Sequence, residues 1–100
     1  MGMDAYLIEK VNDDTNEEIG YWRKNEDVHY WFTHNTPAVE ISIGYCKHRV
    51  TIEALKRFLL FILDNKNNFC KNDRWMISET ITIIAKALTC EHKVYYVSYW

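Results

Sequence analysis

Apolar positions along this chain change their spacing several times, and each change marks an element. From Asp4 to Val11, Tyr6 and Ile8 alternate weakly with Leu7 and Glu9, which predicts a short strand. A polar turn, residues 12–16, follows. Thr15 with Glu18 three positions on fits a capping box, and acids at 13, 14, 17 and 18 suit the positive end of a helix dipole. A helix from about 16 to 34 is therefore expected. Gly20 lowers its helix propensity by about 1 kcal/mol relative to alanine, which implies a packing reason for a glycine there. Pro37 stops the helix. Val39, Ile41, Ile43 and Tyr45 then alternate with Glu40, Ser42, Gly44 and Cys46, predicting a strand with one buried face and a turn at 47–49.

Thr51 caps a second predicted helix with Ile52, Leu55, Leu59 and Ile62 at three-to-four spacing. Leu60, Phe61 and Leu63 widen its apolar face beyond one stripe. Residues 64–72, rich in asparagine and lysine, read as a loop. Asp73 or Ser78 opens a third helix with Ile77, Ile81, Ile84 and Leu88 on one face. The β-branched and aromatic residues 94–100 read as a final strand. The order strand, helix, strand, helix, helix, strand predicts an α+β domain: a small antiparallel or mixed sheet of about three strands with about three helices on one face.

One hundred residues predict a single domain, residues 1–100. A hydrophobic fraction of 48% and an aromatic fraction of 15% are enough for a packed core. Twelve basic residues against 14 acidic ones give a net charge of −2, which argues against nucleic acid as the sole partner. The longest apolar run, residues 58–63, is far short of the ~20 residues of a membrane span. No secretory signal opens the chain, and Cys46, Cys70 and Cys90 make an odd count, so reduced thiols and a cytoplasmic location are expected.

Residues 18–32 hold two tryptophans, two tyrosines, a phenylalanine and a histidine. Aromatics at helical spacing usually build a core. Tyrosine, tryptophan and arginine also dominate interface hot spots, which makes Tyr21, Trp22, Arg23, Tyr30 and Trp31, with the C-terminal Tyr99 and Trp100, candidate partner contacts.

Catalytic chemistry finds little footing. His29 and His34 are general-base types, but no nucleophile or orienting carboxylate stands at a recognisable spacing. Cys46 with His48, and Cys90 with His92, each place two metal-ligand types on one face of a predicted strand. Neighbouring strands would bring the four together as a tetrahedral zinc site, although cysteine–spacer–histidine is tighter than zinc spacings generally are. No glycine-rich phosphate loop, paired-carboxylate motif or hydrolase signature occurs. No cofactor is implied.

The segment Glu17-Glu-Ile-Gly-Tyr-Trp-Arg-Lys24, followed by Val28-His29 and Trp31, resembles the N-terminal signature of small bacteriophage proteins, and the opening residues 3–10 look similar too. The likeness covers roughly residues 3–34 and lends no catalytic residues. It implies a phage origin and action inside a bacterial host cell. With the aromatic excess, it leads to the expectation of a non-enzymatic protein that docks on a host protein, such as an inhibitor of a CRISPR effector nuclease. Two alternatives stand beside it: a metal-binding or nucleotide-handling phage enzyme using the two Cys/His pairs, and an accessory protein that self-associates as a homodimer through residues 58–63.

Overall fold

A computed structural model describes residues 3–71 and 74–100. The elements are β1 (Asp4–Lys10), β2 (Asn16–Arg23), α1 (Glu26–Asn35), β3 (Ala38–Ser42), β4 (Tyr45–Val50), α2 (Ile52–Asp64), α3 (Trp75–Leu88) and β5 (Lys93–Tyr99). All strand pairs are antiparallel, in the order β2-β1-β5-β4-β3. The last strand thus closes the sheet by inserting between two hairpins. The α+β class and the three helices match the expectation, but the sheet has five strands rather than about three.

The two extra strands come from one segment read as helix and one hairpin read as a single strand. The predicted helix over 16–34 is a strand followed by a helix. Between Leu7 and Ile8 the register slips, pairing Leu7 with Gly20 but Ile8 with Glu18, so Ile19 is bulged out of the ladder. The bulge turns Ile19, Gly20 and Trp22 toward the helices, giving a strand the three-residue spacing of a helix face. Thr15 belongs to the β1–β2 turn, where its N–H donates to the carbonyl of Asn12. The helix is capped instead by Asn25, whose side chain accepts from the N–H of Val28 at 3.1 Å, with Glu26 and Asp27 in the first turn.

Likewise, the single strand expected after Pro37 is a hairpin. Ile43 and Gly44 make its turn, with Gly44 at φ +73, a left-handed conformation that favours glycine. Lys47-His48-Arg49, read as a turn, forms the middle of β4. Thr51 caps α2 as expected, accepting from the N–H of Ala54 at 3.1 Å. Asp73, one proposed opener of the third helix, lies outside the described residues, and that helix starts at Trp75.

All three helices pack on one face of the sheet. Phe32 of α1 stacks on Tyr96 of β5 at 4.6 Å and meets Phe58 of α2 edge-on at 4.9 Å. The indole of Trp22 donates to the hydroxyl of Thr80 in α3 at 3.0 Å, satisfying both buried polar atoms. Leu7, Phe32, Phe58, Ile62, Ile84 and Tyr96 are fully buried. Each such side chain stabilises the fold by about 1.5–3 kcal/mol. Buried His48 ties α1 to β4 through the carbonyl of Thr36 at 2.9 Å.

Candidate binding surface

The opposite sheet face carries no helix among the described residues. Strand register fixes what stands on it. Arg23, Asp4, Tyr99 and Tyr45 form one cross-strand row, and Tyr21, Tyr6, Val97 and Lys47 the next. Ile8, Tyr95 and Arg49 follow, and Lys10 opposite Lys93 closes the array. Five of the chain's seven tyrosines therefore share one uncovered surface.

The rings form a continuous band across four strands. Tyr21 and Tyr6 have centroids 5.0 Å apart, Tyr6 and Tyr99 6.3 Å, and Tyr99 and Tyr45 5.1 Å. Tyr21 is 40% and Tyr99 49% exposed, while Tyr6, Tyr45 and Tyr95 are half-buried. A shallow depression of about 390 Å³ lies between Tyr6, Ile8, Tyr45, Lys47, Val97 and Tyr99.

Charge on this face differs from the chain average. The face presents Arg23, Lys10, Lys93, Lys47 and Arg49 against three acids, Asp4, Glu18 opposite Ile8 and Glu40 opposite Lys47. Among the described residues none of these cations is in an ion pair. The Lys47 ammonium sits 4.5 Å from the centroid of Tyr95 and the Arg49 guanidinium 5.7 Å from it, both within cation–π range. Arg49 also donates to the carbonyls of Val50 and Val94, which fixes its head group. The Tyr21 hydroxyl donates to Asp4 at 2.6 Å, and that bond, with burial, pushes the phenol above its usual value. Burial, with Glu40 nearby, does the same for Tyr45. Both rings stay neutral across the physiological range.

The contact candidates drawn from the sequence divide. Tyr21 and Tyr99 stand on this surface, with Arg23 at its β2 edge. Trp22, 2% exposed, and Trp31, 6% exposed, lie in the core, where Trp31 stacks on Phe58 at 4.4 Å; they offer a partner nothing. Tyr30, 64% exposed, stacks on His34 on the outer side of α1, away from the sheet. Trp100 lies edge-on to His29 at 5.7 Å beyond the end of β5. Tyr6, Tyr45 and Tyr95, with Lys47 and Arg49, were missed. Their signal was in the period-two series Tyr45, Lys47, Arg49 and Lys93, Tyr95, Val97, Tyr99, each with aromatic and basic side chains on one parity.

The two Cys/His pairs do not meet. β4 and β5 are neighbours, but their antiparallel register sets Cys46 opposite Ser98 and His48 opposite Tyr96, while Cys90 and His92 precede Val94 at the other end of the ladder. His48 is spent on Thr36, and the imidazole of His92 pairs with Glu9 at 2.8 Å. Burial pushes the Cys46 and Cys90 thiols up, away from the thiolate a metal needs. Among the described residues no group of three or more His, Cys, Asp or Glu side chains could hold a metal ion. The apolar run 58–63 is split: Phe58 and Ile62 are buried, while Leu60, Phe61 and Leu63 are exposed on α2. Among the described residues no helix is long and apolar enough to cross a membrane. No family model, curated protein or solved structure matches the chain.

Proposed function

We propose that this chain is a non-enzymatic binding protein that docks a macromolecule on its uncovered, tyrosine-rich sheet face. The observation that carries the reading is the segregation of five tyrosines onto the side opposite the helices. A fold that needed those rings for stability would bury them, as it buries Phe32, Phe58 and Tyr96. Tyrosine gives large contact area at low entropic cost, which is why it recurs in binding surfaces. An open five-stranded face also offers a footprint on the scale of a standard interface, ~800 Å² per partner.

The phage-like segment of residues 17–31 extends the proposal to a host target: the protein acts inside a bacterial cell by occupying a host macromolecule. Crosslinking the purified chain in host extract tests the docking reading. The adduct is expected to vanish in a Tyr45→Ala/Tyr99→Ala protein and to persist in Tyr30→Ala, which alters an exposed ring on α1. Persistence in the folded double variant rules this face out.

A further inference from the structure

Resting on that reading, we infer that the ligand of the open sheet face is a single strand of nucleic acid, held by base stacking on the tyrosine band and by phosphate contacts to the cations beside it. Three features point to a strand. First, the rings of Tyr21, Tyr6, Tyr99 and Tyr45 run side by side across β2, β1, β5 and β4. At about 4.8 Å between strands the band is about 14 Å long, room for two or three unstacked bases.

Second, cations outnumber acids on this face. Lys10, Lys47, Arg49 and Lys93 project from inner strands and, with Arg23, stand against the three acids Asp4, Glu18 and Glu40; none of these cations is in an ion pair among the described residues. Repulsion among them is relieved by a polyanion. A protein partner would use the tyrosines equally well but does not require this surplus. Third, Asp4 is engaged by the Tyr21 hydroxyl at the β2 side, and on β5 and β4 themselves every charged side chain of this face is a cation: Lys93, Lys47 and Arg49. The chain-wide charge of −2 conceals this because most acids lie elsewhere, as in the β1–β2 turn and the first turn of α1.

A flat face of this kind reads ring faces and phosphates rather than base edges, so little sequence preference is expected. A duplex is disfavoured, because its bases are not free to stack on protein rings.

Fluorescence anisotropy of a labelled oligothymidylate and an oligouridylate of about a dozen nucleotides, titrated with the full chain at two salt concentrations, tests the assignment. Both probes are expected to bind, and a hairpin duplex to bind at least about tenfold more weakly. Tyr99→Ala should weaken binding about tenfold while Tyr99→Phe retains it, since stacking uses the ring and not the hydroxyl. Lys47→Gln should lower the slope of log affinity against log salt by about 0.7, the loss of one phosphate contact to a single strand. Three results overturn the inference: no binding by the unaltered protein, equal binding of duplex, or binding indifferent to Tyr99→Ala and Lys47→Gln in proteins whose circular dichroism is unchanged. The docking reading survives the first of these if crosslinking in nuclease-treated extract still depends on Tyr45 and Tyr99.

Discussion

Gly20 sits where a β-carbon would lie 2.4 Å from Cγ2 of Ile83, with two more atoms of the same side chain inside 3 Å. Ile83 is β-branched within a helix, so its χ1 cannot swing aside cheaply. Gly20→Ala is therefore expected to lower stability in urea denaturation by about 1–3 kcal/mol, the usual cost of overpacking. Combining it with Ile83→Ala should cost less than the sum of the two single changes; strict additivity would show that the close approach is not the cause. His29 makes a second residue-level case. It bonds the buried Tyr96 hydroxyl at 2.8 Å. Burial first, then repulsion from His48 and His34, holds its imidazole below the ordinary value of 6.5. The unfolded chain takes up that proton more readily, so the stabilisation is whole above 6.5 and is lost as pH falls below it. Glu9 behaves differently: its bond to His92 lowers its carboxyl below the ordinary 4.5, so its contribution is lost only in that more acid range. The urea midpoint should fall from about pH 7.5 to about pH 5.5, and His29→Gln should flatten the fall. An unchanged slope in the variant assigns the effect to another histidine.

Elements were legible where a capping residue and a regular period agreed. Thr51 and the apolar series through Ile62 specified α2, and the Ile77–Leu88 periodicity located α3, because neither segment contains an irregularity. The N-terminal third failed for a definite reason. The bulge at Ile19 sets Ile19 and Trp22 on one face of β2, and this three-residue interval imitates a helix more convincingly than a strand. In the β3–β4 hairpin, alternation continued straight through a two-residue turn at Gly44, so two strands looked like one. The uncovered tyrosine face was hidden by both errors: with residues 16–23 read as helix and 47–49 as turn, neither the neighbours of Tyr6 nor the placement of Lys47 and Arg49 could be assigned. Capping substitutions check the revised boundaries directly. Asn25→Ala and Thr51→Ala should each cost about 1 kcal/mol in thermal or urea unfolding, since each leaves a helix N–H without its acceptor. Thr15→Ala should cost much less, because its backbone rather than its side chain holds the turn. A large loss at Thr15 would restore the longer helix.

At the scale of the whole molecule the sheet has one face packed under helices and one uncovered, and that division makes stability and the proposed binding separable. The helix side holds the interlocked rings of Trp22, Trp31, Phe32, Phe58 and Tyr96, from two strands and two helices far apart in sequence. Removing one of these rings opens a cavity that close-packed neighbours cannot fill, so Phe58→Ala should cost about 3–5 kcal/mol. In a protein of this size that is much of the total stability. Tyr99, half in solvent on the uncovered face, has far less to lose, and Tyr99→Ala should cost under about 1 kcal/mol. Binding should respond in the opposite order. Phe58→Leu, which keeps the core apolar and nearly filled, should leave affinity for the oligonucleotide probes intact in whatever fraction stays folded, whereas Tyr99→Ala should abolish most of it in a protein as stable as the parent. Measuring unfolding and binding on the same two proteins decides the matter. If both properties fall together in Tyr99→Ala, the tyrosine band is a structural layer and the uncovered face has no partner.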